Sequence, residues 1–556
     1  MRYLIVIFFF FIALSANAQS TNVPLNSDYY HWLDRYEIKS GKISPHIFTT
    51  IKPYKRDAII RYLDTLNTNE NIFTSHSDKF NLEFFQNDSW EWSRAESSNS
   101  KQPFLKHLYK KKSDFAYVDI PEFDIHVNPV LYLSAGKDNN RDELVMINTR
   151  GIEIRGMIDR KIGFYTFVGE NQSVLPQYVA DDVTRNRVVP HEGYWKTFKG
   201  TGVDFFEARA YIDFNLSKHI YMQFGNDRTF IGNGYRSLIF SDYSPPNLFL
   251  RSNVKVWKIN YLFQLNRMAA DARTGGGKRY PEKFMAFHHA SINIGKKLNV
   301  GVFESVVFTP KDSVNNSTFD FSYLNPVIFY RAIEQQFGSS DNAILGADIK
   351  WNAFKKISFY GQLVLDEFLL KEVMAGNGWW ANKYAIQGGI KYIDAFGVSN
   401  LDVQAEINRV RPYTYSHYSQ YGSYSNYRQP LAHPLGANFS EVVGIVRYQP
   451  IPRLNFTLKT FYIKTGRDNT DENWGSNILL GYQVREREYG NVIGQGASHT
   501  IATVDFNASY MLKHNLFIEA RQIVRQSKSS LAEYNYNTTL TSLALRWNIS
   551  QRSYDF

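Results

Sequence analysis

Along much of this chain the side chains alternate in character over runs of about nine to eleven residues, and such alternation commits the backbone to β-strands with one apolar and one polar face. Between Phe206 and Phe214 one face carries Phe206, Ala208, Ala210, Ile212 and Phe214, while the other carries Glu207, Arg209, Tyr211 and Asp213. From Leu401 the faces are Leu401, Val403, Ala405 and Ile407 against Asp402, Gln404, Glu406 and Asn408. The last strand reads Leu543, Leu545, Trp547 and Ile549 against Ala544, Arg546 and Asn548. A soluble sheet accounts for such polar faces on its wet side. A membrane barrel accounts for them too, with the apolar face turned to lipid and the polar face to the lumen.

Composition narrows the choice of class. The 556 residues include 41 Phe, 37 Tyr and 10 Trp, residues favoured in strands and at membrane interfaces. No cysteine is present, which excludes disulfide staples and thiolate metal sites. The net charge of +10 is spread along the chain; it argues weakly for an acidic partner and not for nucleic acid. At the N-terminus, Arg2, the apolar run from Tyr3 to Leu14 and the small residues Ala16-Asn17-Ala18 read as a cleaved export signal. An uncleaved anchor is the alternative, although the apolar core is shorter than the ~20 residues of a spanning helix. No later stretch is apolar over that length, so helical membrane proteins are excluded.

Loop order separates the exported soluble sheet from the barrel, because a barrel alternates short inner turns with long outer loops. Short links fall at Asp159-Arg160, Ser217-Lys218-His219, Gly295-Lys296-Lys297, Asn352 to Lys356, Asp394 to Asn400, Gln449 to Leu454 and Lys513-His514. Long polar segments lie between them at 170–203, 266–284, 308–342, 412–440 and 465–499. The alternation closes if a descending strand lies near Arg236 to Asp242, before a turn at Pro245-Pro246, which brings the count to about eighteen, an even number. The terminal Phe556 resembles the aromatic ends read by barrel-assembly machinery. The expectation is a multi-pass outer-membrane β-barrel of about 18 antiparallel strands, in contact with outer-membrane lipid.

Residues 24 to about 95 have a different period. Tyr29, Tyr30, Trp32, Leu33 and Tyr36 recur at helical spacing, with Ser27 or Asp28 before them and Gly41 after. A second helix is expected from Arg56 to Leu66, with Ile59, Ile60, Leu63 and Leu66 facing inward, and a third from Asp78 to Trp90. Short helices of this kind must pack together or on the barrel. The chain therefore divides into a signal peptide (1–18), a periplasmic helical region and linker (19–120) and a barrel (121–556).

Several spaced motifs carry a family resemblance: Gly41 then Lys52-Pro53-Tyr54-Lys55-Arg56; Arg150-Gly151 with Gly163-Phe164-Tyr165 and Glu170-Asn171-Gln172; and the stretch Gly225-Asn226-Asp227-Arg228-Thr229-Phe230-Ile231-Gly232-Asn233-Gly234-Tyr235-Arg236-Ser237-Leu238, followed by Ser241-Asp242-Tyr243. Over nearly its whole length the chain resembles Wzi-type capsule assembly proteins of Bacteroidetes, a group that includes the gliding-motility surface protein RemB. The resemblance implies an eighteen-stranded outer-membrane barrel, a helical bundle on its periplasmic side and a lectin-like hold on exopolysaccharide. Asn233 stands where many relatives are expected to carry an acidic residue.

Two segments are candidate sites. Asp227, Arg228, Gly232, Asn233, Gly234, Tyr235 and Arg236 combine charge with a Gly-Asn-Gly step that permits positive φ and close backbone approach; the segment reads as a lumenal plug salt-bridged to the wall or as a glycan contact. Tyr413, Tyr415, Tyr418, Tyr421, Tyr424 and Tyr427, followed by Arg428, suit sugar stacking and hydrogen bonding, or equally an aromatic loop packed on its neighbours. His288-His289 falls on opposite faces of a strand and cannot jointly hold a metal. Asp468 to Asn473 lacks the glycine and terminal glutamate of a calcium loop. No nucleophile elbow, Walker loop, zinc motif or dinucleotide fingerprint occurs, and no cofactor is implied. The function expected is non-enzymatic attachment or assembly of surface or capsular polysaccharide, with a gliding-motility adhesin and a diffusion porin as alternatives.

Overall fold

The computed structural model describes residues 20–70, 72–271, 280–309, 321–326, 329–330 and 341–556, and the export signal lies outside them. Eighteen antiparallel strands close into one barrel. In chain order they are β1 (Phe123–Asp138), β2 (Val145–Ile158), β3 (Ile162–Val174), β4 (Gly202–Asn215), β5 (Ile220–Asp227), β6 (Asn247–Val256), β7 (Ile259–Ala269), β8 (Glu282–Ile294) and β9 (Leu298–Phe308). The second half comprises β10 (Asn342–Phe354), β11 (Ile357–Leu365), β12 (Tyr384–Tyr392), β13 (Leu401–Val410), β14 (Phe439–Ile451), β15 (Leu454–Arg467), β16 (Ala497–Lys513), β17 (Leu516–Ser529) and β18 (Tyr536–Trp547). Closure comes from β18 on β1, with Leu540 opposite Asp138 and Trp547 opposite Leu131.

The alternation read from the sequence sets the two faces of the wall. In β4, Phe206 and Ile212 are exposed on the outside while Glu207, Arg209, Tyr211 and Asp213 are buried inside. In β13, Asp402, Gln404, Glu406 and Asn408 point inward and Ile407 outward. A closed wall leaves no unpaired strand edge, and an apolar exterior is the form in which β-structure crosses a bilayer. Short turns gather at one end and long loops at the other.

Three expectations need correction. Arg236 to Asp242 is not a barrel strand. Leu238, Ile239 and Phe240 are all buried, an apolar run with no lipid-facing alternation, and Ile231 N donates to Phe240 O inside the lumen. The descending strand is β6, and the inner turn is Trp257-Lys258 rather than Pro245-Pro246; Trp257 takes φ 53. This turn is too short to interrupt the alternation, so two strands read as one, and the count of eighteen survives because the two errors offset each other. The last strand ends at Trp547, not Ile549: Asn548 adopts φ 51, the chain turns into the lumen, and Ile549 packs on Val130, Tyr165, Phe167 and Tyr211. Phe556 therefore does not end a membrane strand. Its ring meets Tyr178 and Tyr243 within the barrel.

The helical region forms α1 (Tyr29–Ser40), α2 (Arg56–Glu70), α3 (His76–Asp88) and α4 (Trp90–Ser93). Gly41 ends α1 at φ 68 and returns its N–H to Ile38 O, as a left-handed C-terminal glycine should. Ser75 and Asp78 make a reciprocal capping box on α3. Tyr29, Trp32, Tyr36, Phe84 and Phe85 join Ile59, Leu63 and Leu66 in a common core, with Tyr29 and Phe85 stacked at 4.7 Å. That core continues onto the wall at Met511 and Phe517.

The unit sits in the short-turn mouth and is fastened there by buried charge. Arg35 pairs with Asp394 at 2.5 Å and with Asp402. Lys350 reaches Asp34 at 2.9 Å and Glu37 at 2.5 Å, and Arg546 reaches Asp28 at 3.0 Å. Arg155 holds Glu91 at 2.5 Å. Isolated charges at this depth would be expensive; each has an opposite partner across the boundary between helix and wall.

Candidate functional site

The Gly-rich segment after β5 folds into the lumen, where it meets the helical unit. Phe230–Ile231 pairs antiparallel with Ile51–Lys52, Gly232 N donates to Thr50 O at 2.7 Å, and Lys52 Nζ donates to Gly232 O at 3.0 Å. Burial lowers Lys52 to about 7, with Lys391 adding to the effect. Gly232 sits at φ 148, a left-handed conformation that side chains resist. A Cβ on Gly234 would lie 2.5 Å from Glu406 Oε2. That close approach lets Tyr235 N and Arg236 N donate to the Glu406 carboxylate at 2.7 and 3.1 Å.

The remaining members of the motif are tied to the wall, to the 175–201 loop and to the helical unit. Asp227 lies 3.8 Å from Arg209, Arg228 pairs with Glu207 at 3.0 Å and Glu192 at 3.4 Å, and Arg236 pairs with Glu441 at 3.0 Å. Asn233 donates to Thr50 Oγ1 at 3.0 Å. Of the two readings open for this segment, the geometry is that of a salt-bridged plug. The C-terminal tail, absent from the sequence reading of the site, completes it. Asp555 bonds the Tyr235 hydroxyl, its carbonyl accepts from Arg236, and its carboxylate lies 3.4 Å from Lys459. Arg552 pairs with Glu192 at 2.9 Å and Glu207 at 3.2 Å. Burial would raise the Asp555 carboxyl, but Lys459 and Arg236 pull it below its ordinary value. Plug, tail, α1 and the inner wall line a cavity of about 440 Å³.

The tyrosine run roofs the opposite mouth. Tyr413, Tyr415, Tyr424 and Tyr427 are buried, and Tyr418 and Tyr421 are half-buried. Tyr415 stacks on Tyr424 at 5.7 Å, and their hydroxyls donate to Leu238 O at 2.6 Å and Ile239 O at 2.9 Å. Tyr427 donates to the Tyr280 hydroxyl at 3.2 Å, and Arg428 pairs with Asp271 at 3.2 Å. The expectation of an open stacking platform along all six tyrosines does not match this burial. The loop folds down onto the plug because its rings find more apolar surface there than in water. Tyr418 and Tyr421 alone keep solvent access.

A second aromatic group lies beside them on the 366–383 and 468–496 loops. Trp380 and Tyr482 have ring centres 4.8 Å apart. Arg485 sits over Trp380 at 4.3 Å and Lys383 over Tyr482 at 4.5 Å, within cation–π range. Trp379 and Trp380 both donate their indole N–H to Glu488, at 3.1 and 2.9 Å. Burial pushes the Tyr482 hydroxyl up to about 12, so it stays a donor. The sequence reading passed over this group, although Trp379-Trp380 directly after Gly376-Asn377-Gly378 was a visible signal. In the former calcium candidate, Asp468 accepts from Trp474 N at 2.6 Å and Asn477 N at 2.7 Å, which is turn-capping chemistry.

No protein-family model and no curated protein matches the chain. Among solved structures it is similar to Escherichia coli Wzi, an outer-membrane protein described as a carbohydrate-binding β-barrel involved in group 1 capsule assembly. The identity is 13%, the TM-score 0.56, and the match covers 95% of this chain and 100% of Wzi. Pseudomonas aeruginosa OprD matches at 10% identity and a TM-score of 0.42, over 76% of this chain and 94% of OprD. The architecture expected from the sequence resemblance is thus found in the fold: an eighteen-stranded barrel with N-terminal helices, similar to that of Wzi.

Proposed function

We propose that this protein is a plugged outer-membrane barrel that holds capsular or other exopolysaccharide at the cell surface without catalysing a reaction. The observation that carries the reading is a lumen crossed by plug, tail and helices beneath a mouth rich in aromatic rings, amides and guanidinium groups. Sugars present apolar ring faces for stacking and hydroxyls for hydrogen bonds, and the partly exposed Trp379, Tyr482, Tyr418 and Tyr421 offer both kinds of contact. The carbohydrate binding ascribed to Wzi accords with this use of the fold. On this reading the long loops face the exterior, the helical unit faces the periplasm, and residues 1–18 direct export.

The test is binding of purified surface polysaccharide to the purified barrel by calorimetry, compared with a variant carrying Trp379→Ala and Tyr482→Ala. Binding that is weakened several-fold with intact folding supports the reading; equal binding moves the site off this mouth. Planar-bilayer recordings separate the porin alternative, because a filled lumen gives no large, steady conductance steps. Capsule retention against cell spreading on agar, measured after deletion of the gene, separates capsule attachment from gliding.

A further inference from the structure

The outer wall of β7, β8 and β9 carries a polar group where lipid-facing side chains are expected. His288 lies on the outward face of β8, since its neighbour His289 points inward to Asp348 at 2.6 Å. Glu304, directly opposite His288 on β9, and Tyr261 on β7 share that outward face. His288 and Glu304 lie six and four residues below the long-loop ends of β8 and β9, roughly 10–15 Å into a hydrocarbon band ~25 Å tall. A bare carboxylate and imidazole at that depth are costly.

Residues 321–326 and 329–330 cover them. Tyr323 and Tyr330 are buried against Ala286, Val306 and Phe308 on the same wall. Phe329 N and Tyr330 N both donate to Glu304 Oε2 at 2.7 Å. The Tyr330 hydroxyl lies 2.9 Å from Tyr323 O and 2.6 Å from Asn325 O, and it also meets His288 Nε2. The Tyr261 hydroxyl lies 2.5 Å from both His288 Nδ1 and Pro326 O. Irregular backbone survives in hydrocarbon only where its N–H and C=O groups find partners, and here the wall's outward polar side chains provide them. Phe329 holds φ 102, outside the range that residues with side chains ordinarily adopt. The exposed side of the segment is mostly apolar: Phe321 is 74% exposed, Phe329 71% and Leu324 38%, with Pro326 and one polar residue, Asn325, beside them.

We propose that this outer-loop segment is a strap immersed in the bilayer on the outside of the barrel, with Glu304, His288 and Tyr261 as its receptor on the wall and acyl chains of the surrounding leaflet against Phe321, Leu324 and Phe329. Continuity selects lipid as the occupant. The exposed face of the strap extends the wall's lipid-facing band, in which Val302, two residues from Glu304, is 48% exposed.

The experiment uses the full-length barrel in dioleoylphosphatidylcholine vesicles, with Phe329→Cys, Phe321→Cys or Val302→Cys carrying a nitroxide. Collision with dissolved oxygen and with a water-soluble nickel chelate reports depth. The strap positions should match Val302, open to oxygen and closed to nickel; nickel access equal to that of an aqueous loop label at Lys371 would overturn the proposal. Adding Glu304→Leu should raise mobility and nickel access at residue 329, with Val302 unchanged and the heat-modifiable gel shift of the folded barrel retained. Glu304→Gln, which still offers an acceptor oxygen, should keep the strap in place. If Glu304→Leu left the residue 329 label unmoved in a folded barrel, Glu304 would not be the receptor.

Discussion

At the short-turn mouth the helical unit is tied to the wall by ions, Arg35 with Asp394 and Asp402, Lys350 with Asp34 and Glu37, Arg155 with Glu91. At the long-loop mouth Tyr415, Tyr424, Leu431 and Phe439 pack on Leu238, Ile239 and Phe240, joined by neutral hydroxyl-to-carbonyl hydrogen bonds. The two closures solve one problem, a wide polar-walled lumen, with different energetics. A buried ion pair contributes little net stability against an apolar replacement, yet losing one partner strands the other, so the ionic closure fixes one position and orientation of the helices. The aromatic roof gains from area and tolerates small shifts.

The largest expected effect is at the ionic closure. Arg35→Ala leaves Asp394 without its cation, while Asp78 keeps Lys39 and Asp402 keeps His31; the change should cost about 3 kcal/mol of helix docking. Protease cleavage within residues 29–88 should rise sharply while the barrel keeps its heat-modifiable migration. Unchanged protection would mean that the aromatic core of the helices, rather than charge, holds the helical unit.

The roof should respond less sharply. Tyr415→Ala or Tyr424→Ala removes a fully buried ring and should cost about 3 kcal/mol, read as a lower unfolding temperature and faster exchange of the 411–438 backbone. Tyr415→Phe removes only the bond to Leu238 O and should cost about 1 kcal/mol. If the two Tyr415 variants behaved alike, the hydroxyl rather than the ring would carry the closure.

The same division governs what the sequence could disclose. Most wall strands were legible because lipid and lumen impose a two-residue period on them, as in Phe206 to Phe214. The helices were legible from Leu33, Tyr36, Ile59 and Leu63, whose spacing reports a buried stripe. The lumen contents were not. Leu238-Ile239-Phe240 is buried on all sides, so it carries no period, and Asp555 and Arg552 meet Tyr235 and Glu192, each more than 300 residues away. The tyrosine run has the composition of a binding loop and of a packed loop alike. Which of the two it becomes depends on the plug beneath it, a long-range fact that no local pattern holds.

Acid should separate the two mouths with a smaller, graded effect. Burial would raise Asp88, but Arg56 at 2.5 Å and His514 hold it well below its ordinary value. Burial would likewise raise Asp34, and Lys350 and Lys391 pull it down. Because both folded-state values are depressed, their stabilisation is complete above the unfolded aspartate value near about 4 and drains as pH falls through the lower folded values. Hydrogen exchange should therefore show the helical unit loosening below pH ~4 while the 411–438 loop, which has fewer carboxylate contacts at Asp271, Asp366 and Glu441, loosens less. Loosening of both to the same extent would mean that the closures are coupled through the plug.

The smallest effect on stability, and the sharpest on function, should come from the two roof tyrosines that keep solvent access. Tyr418 and Tyr421 lie outside the apolar core that holds Tyr415 and Tyr424. Removing their rings should shift stability by no more than about 0.5 kcal/mol, since half-exposed rings bury little additional area in the fold. A sugar stacked on such a ring gains about 0.5–1.5 kcal/mol, so each Tyr→Ala change should weaken polysaccharide binding by roughly two- to tenfold. Tyr→Phe at the same sites keeps the ring and should retain most of that binding if stacking dominates. A loss with Phe as large as with Ala would assign the contact to the hydroxyl instead. Unchanged binding in Tyr418→Ala with Tyr421→Ala would leave the roof a purely structural closure and confine any glycan contact to Trp379, Trp380 and Tyr482, where Arg485 and Lys383 already lie against the rings.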